Sequence, residues 1–145
     1  MLTKQSWVKK WSSCTRCPLH LNARHHVLYR GQIPSEVLLI GEAPGKTEDK
    51  IGRPFIGRSG QLLTKAIEKL GIESYCIANV VCCIPLIEDQ IRQPSKDEAA
   101  ACSPHLQELV ELSQPKLIAL LGNEPKKYFD LRIVPKDATL VMLRH

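Results

Sequence analysis

The sequence predicts an α/β fold, a three-layer αβα sandwich with a central four-stranded parallel sheet, in a single domain spanning residues 1–145. Three patterns carry this expectation. Short unbroken apolar runs recur along the chain, amphipathic stretches with capping residues lie between them, and the two kinds of segment alternate. Strands that alternate with helices join through right-handed crossovers, which makes the sheet parallel and covers both of its faces.

Trp7, Val8 and Trp11 fall at helical spacing within a short amphipathic segment, about Thr3 to Ser13. Val37-Leu38-Leu39-Ile40 is an apolar run ending at Gly41, as expected of a strand buried on both faces. A Gly/Pro-rich loop then extends to about Arg58. Ser59 is placed to cap a helix whose Leu62, Leu63, Ala66, Ile67 and Leu70 share one face, and Gly71 closes it. Tyr75 to Val81 reads as the second strand. Ser95-Lys96-Asp97-Glu98 has the capping-box pattern and opens a helix to about Leu112, with Pro115 marking its end. Leu117 to Leu121 is the third strand, Gly122-Asn123 begins a short helix to about Phe129, and Thr139 to Leu143 is the fourth strand. Ligands on such sheets gather at the carboxyl ends of the strands. Those ends are Gly41-Glu42, Val81-Cys82-Cys83, Gly122-Asn123 and Arg144-His145.

Composition narrows the class. A hydrophobic fraction of 43% and a charged fraction of 24% are those of an ordinary globular protein. The net charge of +5 favours polyanionic partners such as nucleic acid without deciding for them. No apolar run approaches the roughly 20 residues of a membrane span, so no membrane partner is expected. The first ten residues carry Trp7 and lysines rather than an apolar signal core, which points to a cytoplasmic protein. Thiols stay reduced there, so six cysteines suggest metal or catalysis before disulfides. Cys14-Thr-Arg-Cys17 is a two-cysteine knuckle, and Cys82, Cys83 and Cys102 supply further thiols. Four thiolates can hold zinc or an iron–sulfur cluster, and spacing leaves both open. Cys76, inside an apolar strand, reads as a small hydrophobe.

The loop after the first strand is rich in glycine and proline and rigid. Phe55 within it is poorly placed for the main core, and an aromatic at a strand-end cleft is a platform for stacking a base. The N-terminus of the helix that follows suits a phosphate. Asn79 is a lone amide in an apolar strand, and a buried amide needs partners. Simpler roles exist for others. Glu42 can cap a turn, Asp49 can pair with Arg53, and His25-His26 can be a solvated loop pair. Arg58, Lys65 and Arg92 are phosphate contacts or plain surface charge.

Taken together the motifs are more specific. Gly41-Glu-Ala-Pro-Gly45 reaching Asp49, then Gly52-x-Pro-Phe-x-Gly57-x-x-Gly-x-Leu-Leu63, resembles the first signature of family 4 uracil-DNA glycosylases. Asn79-Val-Val-Cys-Cys83 resembles the second-strand motif of that family, and the resemblance runs from about Cys14 to Gly122. It implies a DNA-repair enzyme that flips uracil out of DNA and hydrolyses its N-glycosidic bond. Uracil-containing DNA is then the partner and a monomer the expected state. The resemblance also implies a [4Fe–4S] cluster on Cys14, Cys17, Cys83 and Cys102, with zinc the alternative and Cys82 competing with Cys83. Glu42, Ala43, Phe55 and Asn79 would form the uracil pocket, with Phe55 stacking on the ring and Asn79 reading its edge. Glu42 and Asp49 would position water or balance the sugar cation, and His145 would stabilise the uracil anion. Ala43 stands where other glycosylases of the superfamily carry a water-activating aspartate. After His145 there is no Pro-Ser/Ala and no inserting loop, so the expectation is a C-terminally truncated member of reduced activity. The alternative is a catalytically weak or inactive DNA-binding or replication-associated protein on the same iron–sulfur fold. A third reading is a small metal-binding domain with a nucleotide ligand.

Overall fold

The computed structural model describes residues 1–144; His145 lies outside the described residues. Its elements are α1 (Lys4–Trp11), β1 (Arg30–Gly31), β2 (Val37–Gly41), α2 (Lys46–Ile51), α3 (Arg58–Lys69), β3 (Tyr75–Asn79), β4 (Leu86–Ile87), β5 (Gln90–Ile91), α4 (Lys96–Ser113), β6 (Leu117–Leu121), α5 (Pro125–Tyr128) and β7 (Thr139–Leu143). The main sheet has the order β1-β3-β2-β6-β7. β3, β2, β6 and β7 are mutually parallel, and β1 pairs antiparallel with β3.

The sheet therefore has five strands where four were expected. The extra strand, β1, is two residues long and carries no periodicity to read. Strand alternation then sorts the core. Leu38 and Ile40 of β2 face a cluster with Trp7, Trp11, Leu106 and Leu109, whereas Leu39 joins Ile67, Ile77 and Ala119 on the other face. Helices on both faces complete the three layers.

Three local expectations need correction. Gly57, not Ser59, is the N-cap of α3. The Gly/Pro loop contains a helix, α2, whose left-handed end at Gly52 turns the chain back. β3 stops at Asn79 rather than Val81, although Val80 and Val81 still donate to the carbonyls of Gly41 and Glu42 at 2.8 and 3.1 Å. That pairing holds the ends of β2 and β3 side by side.

α1 is fastened to α4 by its tryptophans. Trp7 Nε1 donates to the His105 carbonyl at 3.0 Å and Trp11 Nε1 to Glu108 Oε1 at 2.7 Å. The start of α4 has the expected capping box between Ser95 and Glu98. Arg92 adds a bidentate contact to both Glu98 oxygens at 2.8 and 2.7 Å, so it is engaged within the fold. The Arg92 guanidinium lowers the Glu98 pKa from its ordinary 4.5 to about 2. Because the folded value is the lower one, Glu98 contributes stability above pH 4.5 that is lost as pH falls toward 2. Glu98→Gln is expected to flatten the acid limb of a stability-versus-pH curve within that window, as measured by urea unfolding. No helix among the described residues is long and apolar enough to cross a membrane.

Candidate functional site

The loop between β2 and α3 is held by side chains at fixed points. Glu48 accepts from the amides of Gly45 at 3.2 Å, Ile56 at 3.0 Å and Gly57 at 2.7 Å. Arg30, on β1, donates to the carbonyls of Pro54 and Phe55, each at 2.9 Å, and to Thr64 Oγ1 at 2.8 Å. Between these ties Phe55 takes a left-handed backbone conformation, φ +55°. Its ring lies against the end of β2, where a methyl group on Gly41 would come within 2.2 Å of the ring carbon Cζ and 2.7 Å of Asn79 Oδ1. On the other side, a methyl group on Gly60 would stand 1.8 Å from the Phe55 carbonyl oxygen. Only glycine at both positions lets Phe55 reach this place.

Asn79 ends β3 beside this ring. It is 1% exposed, and its Oδ1 is buried without a hydrogen-bond partner among the described residues. Ala43, Thr47, Glu48, Phe55, Ser59 and Asn79 are among the residues lining one cleft of about 340 Å³, a volume suited to a small planar ligand. Arg58 also lines it, and Lys65 borders a neighbouring groove with Arg30 and Arg53.

Two other expected site residues lie elsewhere, and a third is not described. Glu42 follows β2 but does not line this cleft. Its carboxyl is half-buried on the side of α5, with Oε2 buried and without a hydrogen-bond partner among the described residues. Burial, and then the Glu124 carboxylate, push its pKa up. Glu124 is itself held by Lys127 at 3.0 Å. Asp49 is buried away from the cleft and does not pair with Arg53. Its Oδ1 accepts from the amides of Arg24 at 2.8 Å and His25 at 3.3 Å, which makes it a clasp for that segment. His145 lies outside the described residues. His25 and His26 are not merely solvated, since their ring nitrogens contact the carbonyls of Asp49 and Cys14, each at 2.6 Å.

The cysteines form a second centre. Cys14, Cys17, Cys82, Cys83 and Cys102 line one small, largely apolar cavity of about 20 Å³, and none is in a disulfide. Burial raises the Cys17 pKa, and Cys102 and Cys14 add to it through repulsion between thiolates. Burial pushes Cys83 to about 12, with further contributions from Cys102, Cys17 and Cys14. Thiols that oppose one another's ionisation in an apolar pocket are the donor set a metal relieves, because the cation stabilises every thiolate at once. The residues present therefore fit a thiolate-bound metal. Cys82 and Cys102 lie close together, and their interaction raises the pKa of Cys82 and lowers that of Cys102. The sulfurs of Cys82 and Cys102 and a ring nitrogen of His105 lie within 4.8 Å of one another, a group that could also hold a metal ion. Cys76 is outside this cavity, packed in the core.

His105 is fully buried between the two tryptophans, with ring centroids 6.4 Å from Trp7 and 6.1 Å from Trp11. Its Nδ1 contacts the Cys102 carbonyl and lies 3.3 Å from Cys102 Sγ, and its Nε2 contacts the Asn79 carbonyl at 3.1 Å. Burial opposes its charged form, but the Cys102 thiolate and the two carbonyls outweigh burial and raise its pKa.

A family model described as the Uracil DNA glycosylase superfamily matches residues 28–145. The chain belongs to that superfamily. As a member of the uracil DNA glycosylase superfamily, it is similar to curated proteins named Type-4 uracil-DNA glycosylase. That of Thermotoga maritima is 42% identical over 118 residues, covering 80% of this chain and 60% of the relative. That of Sulfurisphaera tokodaii is 42% identical over 135 residues, covering 91% and 60%. That of Pyrobaculum aerophilum is 40% identical over 112 residues, covering 76% and 56%. This superfamily member thus spans less than two thirds of the length of these relatives. Glu48, Arg30, Glu124 and His105 contact or neighbour these candidate residues, and the sequence reading did not assign them. Only Glu48 had a signal, since it stands three residues after Gly45 at capping-box spacing.

Proposed function

We propose that this chain removes uracil from DNA by hydrolysing the N-glycosidic bond. The observation that carries the reading is the buried, unpartnered amide oxygen of Asn79 beside the Phe55 ring. A flipped uracil stacked on Phe55 would present N3–H to that oxygen and receive a donor from the Asn79 amide nitrogen at O4. Cytosine carries the opposite pattern at both positions, so the same amide excludes it. The names of the relatives support this choice of base.

Bond cleavage leaves positive charge on the sugar and negative charge on the uracil. Glu42, with its partly buried carboxyl, is the group to orient water or balance the cation, and the resemblance assigns His145 to the uracil anion. Asp49 takes a positioning role in this scheme. Cys14, Cys17, Cys83 and Cys102 would hold the [4Fe–4S] cluster, which when bound cross-links segments far apart in sequence. Iron and sulfide near four each per chain would support the cluster, and one zinc would replace it.

The test is incubation with a labelled oligonucleotide containing a single uracil, followed by alkaline cleavage of abasic sites. Strand scission that depends on uracil is the expected result. Phe55→Ala is expected to lose about 1–3 kcal/mol of base stacking, read as weaker binding to the uracil oligonucleotide. Tight DNA binding with no scission on single- or double-stranded substrate would replace the enzyme by a binding protein on this fold.

A further inference from the structure

We infer that His105 is a positioning residue that couples the cysteine centre to the base-reading strand, an inference that rests on the roles proposed for Cys102 and Asn79. The two centres lie on different elements. Cys102 belongs to α4 and Asn79 ends β3, and 23 residues separate them in sequence. One imidazole touches both, with Nδ1 against the Cys102 carbonyl and sulfur and Nε2 against the Asn79 carbonyl. His105 is 0% exposed, and Trp7 and Trp11 of α1 pack on its ring, so it has no solvent to turn toward.

The Asn79 carbonyl is the last of its strand, and its side chain is the one aimed at the cleft. Fixing that carbonyl fixes the direction in which the amide points. A buried carbonyl left without its donor is unfavourable, so the strand end would shift to find another. Any rearrangement of Cys102, by metal loss or oxidation, would displace the same ring from the other side. The geometry makes the occupancy of the cysteine centre a condition for the alignment of the base-reading amide.

The test compares three variants of the full-length, metal-loaded chain. His105→Phe fills the slot between the tryptophans without ring donors, and His105→Gln keeps a donor. Leu109→Ala, one turn along α4 and fully buried, loosens packing without touching either contact. The readouts are the side-chain amide resonances of Asn79 and the Cβ resonance of Cys102. His105→Phe is expected to shift both, His105→Gln to restore at least one, and Leu109→Ala to lower Tm while moving neither. In the uracil assay His105→Phe is expected to lose about tenfold in preference for uracil over cytosine, as one lost buried hydrogen bond would give. If His105→Phe shifts only one site, or if Leu109→Ala shifts both equally, the coupling is overturned. If His105→Phe does not fold, His105→Gln and Leu109→Ala decide by the same comparison, unequal effects supporting the coupling and equal ones overturning it. A parent chain with no preference for uracil would remove the proposed function, while the resonances would still decide the coupling.

Discussion

Replacing Asn79 by alanine is expected to reduce uracil excision by about 100-fold while leaving DNA affinity nearly unchanged. Two buried hydrogen bonds to the base edge would vanish, each contributing about 1–1.5 kcal/mol, and about 1.4 kcal/mol corresponds to a factor of ten. DNA affinity is dominated by phosphate contacts that Asn79 does not make. The Asn79 side chain is almost wholly enclosed, so water cannot substitute for the missing amide. Asn79→Asp keeps the shape but offers only acceptors when ionised, so it would lose the O4 contact and with it the exclusion of cytosine. Single-turnover excision and equilibrium binding on the same oligonucleotide separate the two quantities. Equal losses in both would show that Asn79 supports the fold rather than the base.

Replacing Cys102 by alanine is expected to lower Tm by more than about 10 °C in metal-loaded protein. Apparent binding free energies of structural zinc reach about 10 kcal/mol, and that free energy becomes folding free energy when the site forms only in the folded chain. For a domain of this size each kcal/mol moves Tm by roughly 2–4 °C, so losing about half of it reaches that threshold or passes it. Cys102 contributes more than its share because both possible donor sets include it, one with Cys14, Cys17 and Cys83 and one with Cys82 and His105. Cys76→Ala, in the core and away from the cavity, should show a packing-sized loss of about 1–2 kcal/mol. Parallel substitutions of Cys82 and Cys83 would decide which of the two adjacent thiols binds, since only the ligand should lower metal content. A scan in which Cys102→Ala and Cys76→Ala behave alike would remove the metal from the account of stability.

The four parallel strands were legible because each reads as a short apolar run, unbroken where the strand is central and buried, although β7 at the sheet edge is largely exposed. Val37 to Gly41 and Leu117 to Leu121 are such segments. β1 and the β4–β5 hairpin were not, because two-residue strands have no period and their pairing depends on distant chain. α2 was hidden by the glycines and prolines around it. Of the four residues that the resemblance assigned to a uracil pocket, Ala43, Phe55 and Asn79 line one cleft and Glu42 does not. The orientation of Asp49 was not legible, because an acidic residue in a motif looks alike whether it faces a ligand or clasps a neighbouring loop. His105 and Arg30 were invisible for a related reason: their partners, Asn79 and Phe55, lie 26 and 25 residues away, and no local pattern encodes such contacts.

Under the proposed function, the seating of Phe55 against Gly41 and Gly60 bears on where selection among substrates would occur. With its ring against Gly41 and its backbone against Gly60, Phe55 has little freedom left to lose when a base lands on it, so the receiving surface is ready before capture. The variable part of the free energy then lies in the nucleic acid, in prising a base from its neighbours and its partner strand. Uracil in single strands or opposite guanine leaves the stack more readily than uracil paired with adenine. A chain with this fixed wall would therefore sort its substrates by how loosely the DNA holds the base.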